Sequence, residues 1–76
     1  MTNPTLHWQQ FSPIDRLFSV YELVDGVTIV LDVTRDEAGA LFVKFHRGAA
    51  GTVLDLVTLE ALLADVKLLL RDEQPI

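Results

Sequence analysis

The chain has 76 residues, half of them hydrophobic, no cysteine, and a net charge of −5 from eleven acids and six bases. That length supports one domain, which buries only about 60% of its unfolded surface. With disulfides and thiolate metal sites excluded, oligomerisation is the expected extra support. The acidic balance argues against a broad phosphate-binding surface, which needs clustered Lys and Arg, and the lack of cysteine fits a reducing cytoplasm.

Residues 1–15 read as an N-terminal arm ahead of a single domain at 16–76. The start, Met1-Thr-Asn-Pro, has neither the basic nor the apolar region of a signal peptide. No apolar run approaches the roughly 20 residues that span a bilayer. Leu6, Trp8 and Phe11 are spaced to dock on the body as a short strand or an extended arm.

From Arg16 the alternation sharpens. "RLFSVYELV", "DG" and "VTIVLDVT" predict a β-hairpin on a type I′ turn, with positive φ at both central residues. That turn sets Val24 opposite Val27, Glu22 opposite Ile29, Val20 opposite Leu31 and Phe18 opposite Val33. One sheet face is then Phe18, Val20, Val24, Val27, Ile29, Leu31 and Val33; Glu22 is discordant, and either sits near the sheet end where its carboxylate reaches water or marks a bulge that shifts the strand. Arg35–Gly39 forms the next turn, with Gly39 in a left-handed position. "ALFVKFHR" pairs back, placing Leu41, Val43 and Phe45 by Val33, Leu31 and Ile29 on the same face.

After the flexible corner Gly48–Gly51, "TVLDLV" is a short extra strand or an irregular approach. A C-terminal helix follows, with Thr58 as its N-cap and Val57 and Leu62 as its staple; a start at Thr52 ranks second. At roughly 100° per residue, Leu59, Leu62, Leu63, Val66, Leu69 and Leu70 share one stripe. The expected fold is α+β: a three-stranded antiparallel meander, with room for one short extra strand, packed on one C-terminal helix in two layers.

Two further surfaces stand out. The sheet's second face carries Leu17, Tyr21, Leu23, Val30 and Phe42, more apolar than a solvated face needs. Either the N-terminal arm covers it or it binds something. On the helix, Ala61, Ala64 and Leu68 lie away from the stripe, flanked by Glu60, Asp65, Lys67 and Arg71.

Catalysis needs a nucleophile or base with an orienting partner. Ser19, Asp32, Lys44 and His46, with Tyr21, are the best grouping, but the expected pairing puts His46 two rungs from Asp32, and a flat sheet offers no cleft. No enzyme is expected. His7 and His46 lie in separate segments without a metal-ligand spacing, and Gly48–Gly51 lacks the lysine of a phosphate-binding loop. No metal and no cofactor is expected.

The resulting expectation is a small acidic interaction protein in the cytoplasm: an adaptor, an immunity-type protein or an inhibitor of the kind mobile elements carry. It acts as a homodimer that binds a protein with a basic surface. Its contacts are Ala61, Ala64 and Leu68 on the helix and Tyr21, Val30 and Phe42 on the sheet. The alternative is a single-stranded nucleic-acid platform using Lys44, His46 and Arg47.

Overall fold

A computed structural model describes residues 5–74. Residues 1–4, part of the start read above as lacking a signal peptide, lie outside the described residues. Four strands, β1 (Leu6–Phe11), β2 (Val20–Asp25), β3 (Thr28–Arg35) and β4 (Leu41–Phe45), form one antiparallel sheet in the order β1-β2-β3-β4. A single 3-10 turn, Arg47–Ala49, leads to the C-terminal helix α1 (Leu56–Asp72). The expected two-layer α+β arrangement is present. Its fourth strand is β1, supplied by the N-terminal arm, and residues 52–55 are irregular instead.

The β2–β3 turn sits one residue later than expected, which shifts the cross-strand pairing by two residues. Asp25 pairs with Thr28, leaving Gly26 and Val27 as the central residues. Of these two only Gly26 has positive φ (63°), and no non-glycine residue among the described residues does. This is the type II′ pattern, which asks for a left-handed residue only at the first central position. A type I′ turn would have forced Asp25 into the left-handed region. Val27 is consequently a fully exposed turn residue and leaves the predicted core face.

A β-bulge completes the change. Val24 pairs with Ile29, but Leu23 pairs with Leu31, so Val30 is the extra residue on β3. Tyr21 and Leu23 therefore share a face with Leu31 and Val33, and Val30 joins them in the cluster that Val66 and Leu70 of α1 cover. Val20, Glu22 and Val24 fall on the opposite face, so β2 is turned over relative to expectation. Glu22, discordant on the predicted core face, lies on the outer face opposite Asp32. The β3–β4 register also moves by two residues, pairing Leu31 with Phe45, Val33 with Val43 and Arg35 with Leu41. An even shift preserves faces, so Leu41, Val43 and Phe45 do share the helix-side face.

The helix begins before Thr58. Asp55 is the N-cap: its carboxylate accepts from the Thr58 backbone N–H at 2.9 Å and from the Thr58 hydroxyl at 2.8 Å. Leu54 and Leu59 stand at the staple positions around this cap, and both pack against the core. At the other end, the Arg35 guanidinium donates to the carbonyls of Leu70 and Arg71 at 3.0 and 3.3 Å. It also lies 4.3 Å from the centre of the Phe18 ring. A cation at the helix C-terminus complements the macrodipole. Gly39 takes the expected left-handed conformation, with φ 91°.

Candidate interaction surface

β4 is an edge strand whose second side, among the described residues, pairs with nothing. Its residues alternate across the sheet. Leu41, Val43 and Phe45 continue the face carrying Leu31 and Val33, but the cluster under α1 draws its strand residues from β2 and β3 only. The helix thus leaves β4 bare: Leu41 is 37% exposed, Val43 47% and Phe45 76%. Phe42, on the other face opposite Thr34, is 53% exposed. The strand contains no proline, and its one charge is Lys44. Edge strands are usually protected by charges, prolines, bulges or covering segments, and β4 has little of this.

The outer face presents a polar row across all four strands: Gln9, Glu22, Asp32 and Lys44. His46 joins it, with Nε2 3.0 Å from Asp32 Oδ2. The two-residue register shift is what brings His46 to Asp32, correcting the expected two-rung separation. The contact has ion-pair distance without the alignment of a hydrogen bond. Glu22 and Asp32 are like charges directly opposite, an unfavourable arrangement that Lys44 beside Asp32 offsets. A groove of about 440 Å³ runs past this row, between Phe11 and Pro13 on one side and Phe42 on the other.

Ser19 is not part of this group. Its hydroxyl is buried, accepts from Gln10 Nε2 at 2.9 Å and lies 3.2 Å from Ser12 Oγ. Its backbone N–H donates to Glu73 at the end of α1. The structure therefore joins Asp32 and His46 but separates the serine from them. Among the described residues no three of His, Cys, Asp and Glu gather in a way that could hold a metal.

Four of the six predicted contact residues are exposed: Ala61, Ala64, Leu68 and Phe42. Tyr21 and Val30 are corrections, because the turned-over β2 and the bulge carry them into the core beneath α1. The Tyr21 phenol is held above its ordinary pKa, first by burial and then by the Glu73 carboxylate. The helix adds a residue that the periodicity assigned to the core: Leu69 is half-exposed beside Leu68, and Asp65 and Asp72 rim the shallow depression they line. Leu69 lies roughly 100° from Leu70 around the helix, at the margin of the buried stripe.

β1, the opposite edge, is tied down. The Trp8 indole donates to the Leu62 carbonyl at 3.0 Å, Gln10 holds Ser19, and the Thr5 hydroxyl donates to Asp25. These ties and the polar Gln9 and Gln10 leave β4 as the more open side of the sheet.

No protein-family model, curated protein or solved structure matches this chain. No helix among the described residues is long and apolar enough to cross a membrane. The fold defines a class, a two-layer α+β domain with one covered sheet face and one bare edge.

Proposed function

We propose that the chain is a small interaction module that acts by binding a macromolecular partner and that it carries no catalysis of its own. The observation that carries this reading is β4, whose Leu41, Phe42, Val43 and Phe45 are 37–76% exposed on an unpaired edge. Contiguous exposed apolar surface marks interaction sites in soluble domains, and edge strands recruit further strands. The back of α1 is the second contact. Leu68 and Leu69 there, with Ala61 and Ala64, form an apolar strip, and Asp65 and Asp72 suit a basic protein. In this reading the chain works in the cytoplasm as an adaptor, immunity-type protein or inhibitor, and it self-associates.

Affinity enrichment of tagged protein from its own cells tests the reading. A partner enriched by the wild type and lost with Phe42→Ser/Phe45→Ser, or with Leu68→Glu, supports it. An enriched set that neither variant changes overturns it.

One observation favours a second reading, in which single-stranded nucleic acid stacks on Phe42 and meets Lys44, His46 and Arg47. Phe42, Lys44 and His46 alternate onto one face. Asp32 and Glu22 occupy the same face and oppose a phosphate backbone. Salt-sensitive oligonucleotide binding lost in Lys44→Ala/Arg47→Ala would support this second reading, and no binding at low salt would end it.

A further inference from the structure

We infer that β4 pairs antiparallel with β4 of a second copy about a two-fold axis at Val43, giving one continuous sheet with four strands from each chain. The inference rests on the interaction reading and names its partner. Three features point to a second copy in this register.

The first is backbone direction. The His46 N–H donates across to the Val30 carbonyl on β3 at 3.0 Å. In an antiparallel strand, successive residues direct their N–H and C=O groups to opposite sides. His46, Lys44 and Phe42 therefore spend theirs on β3, and Leu41, Val43 and Phe45 direct theirs to the open edge. A two-fold axis at Val43 sets Val43 opposite its own counterpart and Leu41 opposite the second copy's Phe45. Every outward-directed residue then meets another.

The second is side-chain complementarity. The same register puts the three uncovered core-face residues of one copy against those of the other, so each copy covers what the other's helix leaves bare. On the outer face, Lys44 meets Phe42 of the second copy. The like-charge Lys44 pair that a two-residue shift of the pairing would create is avoided, and a cation beside an aromatic ring is favourable.

The third is charge. β4 is preceded by the acidic turn bearing Asp36 and Glu37 and followed by His46 and Arg47. Antiparallel pairing brings the acidic turn of each copy alongside the basic end of the other. Parallel pairing would set acids by acids. On a chain of net charge −5, which resists self-association in general, this is a place where two copies attract.

Introducing one cysteine into this cysteine-free chain gives a position-specific test. Residues opposite each other in a hydrogen-bonded antiparallel pair have Cα atoms about 5.5 Å apart, within disulfide reach. Val43→Cys, with circular dichroism unchanged, is expected to form a disulfide-linked dimer under mild oxidation, whereas Leu68→Cys is not. Sedimentation of the wild type from micromolar to millimolar concentration is expected to show a monomer–dimer equilibrium. Over that range the amide exchange of Leu41, Val43 and Phe45 should slow. Arg47→Glu should weaken the dimer roughly tenfold, because two symmetry-related attractions become repulsions, and adding Glu37→Arg should restore it.

A dimer cross-linked at Leu68 and not at Val43 overturns the inference, as does a monomer at every concentration. A monomer that still captures a partner through Phe42 or Leu68 overturns the self-pairing and leaves the interaction reading standing. A monomer whose captured set neither variant changes fails both.

Discussion

β1 and β4 close the two ends of the same sheet, and the chain treats them oppositely. β1 places polar Gln9 and Gln10 at its edge and ties the strand to the helix through Trp8. β4 has apolar side chains on both faces and no comparable tie to α1. Antiparallel pairing to one neighbour is common to both, so the ladder hydrogen bonds cannot explain the difference. What differs is whether the helix reaches the strand. α1 packs on β2 and β3, and Leu6 and Trp8 of β1 pack against that core, while Leu41, Val43 and Phe45 extend past the cluster it covers. A sheet wider than the helix above it has a surplus side, and this sequence puts the surplus at β4.

Mutation can break this asymmetry. The largest effect is expected from Trp8→Ala, which removes a half-buried ring and its indole hydrogen bond to the Leu62 carbonyl. Truncating a fully buried aromatic ring costs about 3–5 kcal/mol; for this half-buried ring about half of that is expected, still a large fraction of the stability of so small a domain. Denaturant unfolding should show the loss, and amide exchange should rise in β1 before β4.

The next effect is a dependence on acid at the helix start. The backbone and hydroxyl hydrogen bonds from Thr58 hold the Asp55 carboxyl below its ordinary 3.8. A folded-state pKa below the unfolded one means that the native state binds fewer protons in that window. The stability from the cap is present above pH 3.8 and is lost as pH falls through the lowered value. Asp55→Asn keeps a capping oxygen that does not titrate, so its thermal midpoint should fall less steeply below pH 4. A wild-type slope equal to that of Asp55→Asn would show that the cap does not drive the acid response.

The smallest effect sharpens the contrast. Phe45→Ser removes a large side chain that is 76% exposed, so in dilute monomer stability should change by no more than about 0.5 kcal/mol. Comparable losses for Trp8→Ala and Phe45→Ser in denaturant unfolding would erase the distinction between the two edges.

Alternation and turn residues made the strands and the helix legible, because burying one face imposes a period that composition cannot hide. Register was less legible. "VDGV" admits Asp-Gly or Gly-Val as the central pair, and the two differ by two residues in pairing. The bulge at Val30 leaves no mark in the sequence: it is one valine among Val27, Ile29, Leu31 and Val33. The change of turn alone would have kept the faces of β2, because its shift is even; the bulge inverted the strand, and with it the placement of Tyr21. The signal available was Glu22, a lone carboxylate that the assumed register forced onto an apolar face. Taken as evidence against the register, it would have turned the strand over. Phe42, Ala61, Ala64 and Leu68 were legible because they depend only on local period. The exposure of Leu41, Val43 and Phe45 was not, because it depends on how far a distant helix reaches.

The Trp8 to Leu62 hydrogen bond joins residues 54 positions apart, and this has a consequence for the chain as it is being made. The meander is complete once Phe45 has been added, while the helix that shelters Tyr21, Leu23, Leu31 and Val33 ends at Asp72. At ribosomal speeds of about 5–20 residues per second, that interval lasts roughly 1–5 s. A β-hairpin forms in about 1–10 μs. For that interval the nascent sheet holds two sticky surfaces, one temporary and one permanent, and on a polysome the neighbouring nascent chains carry the same two.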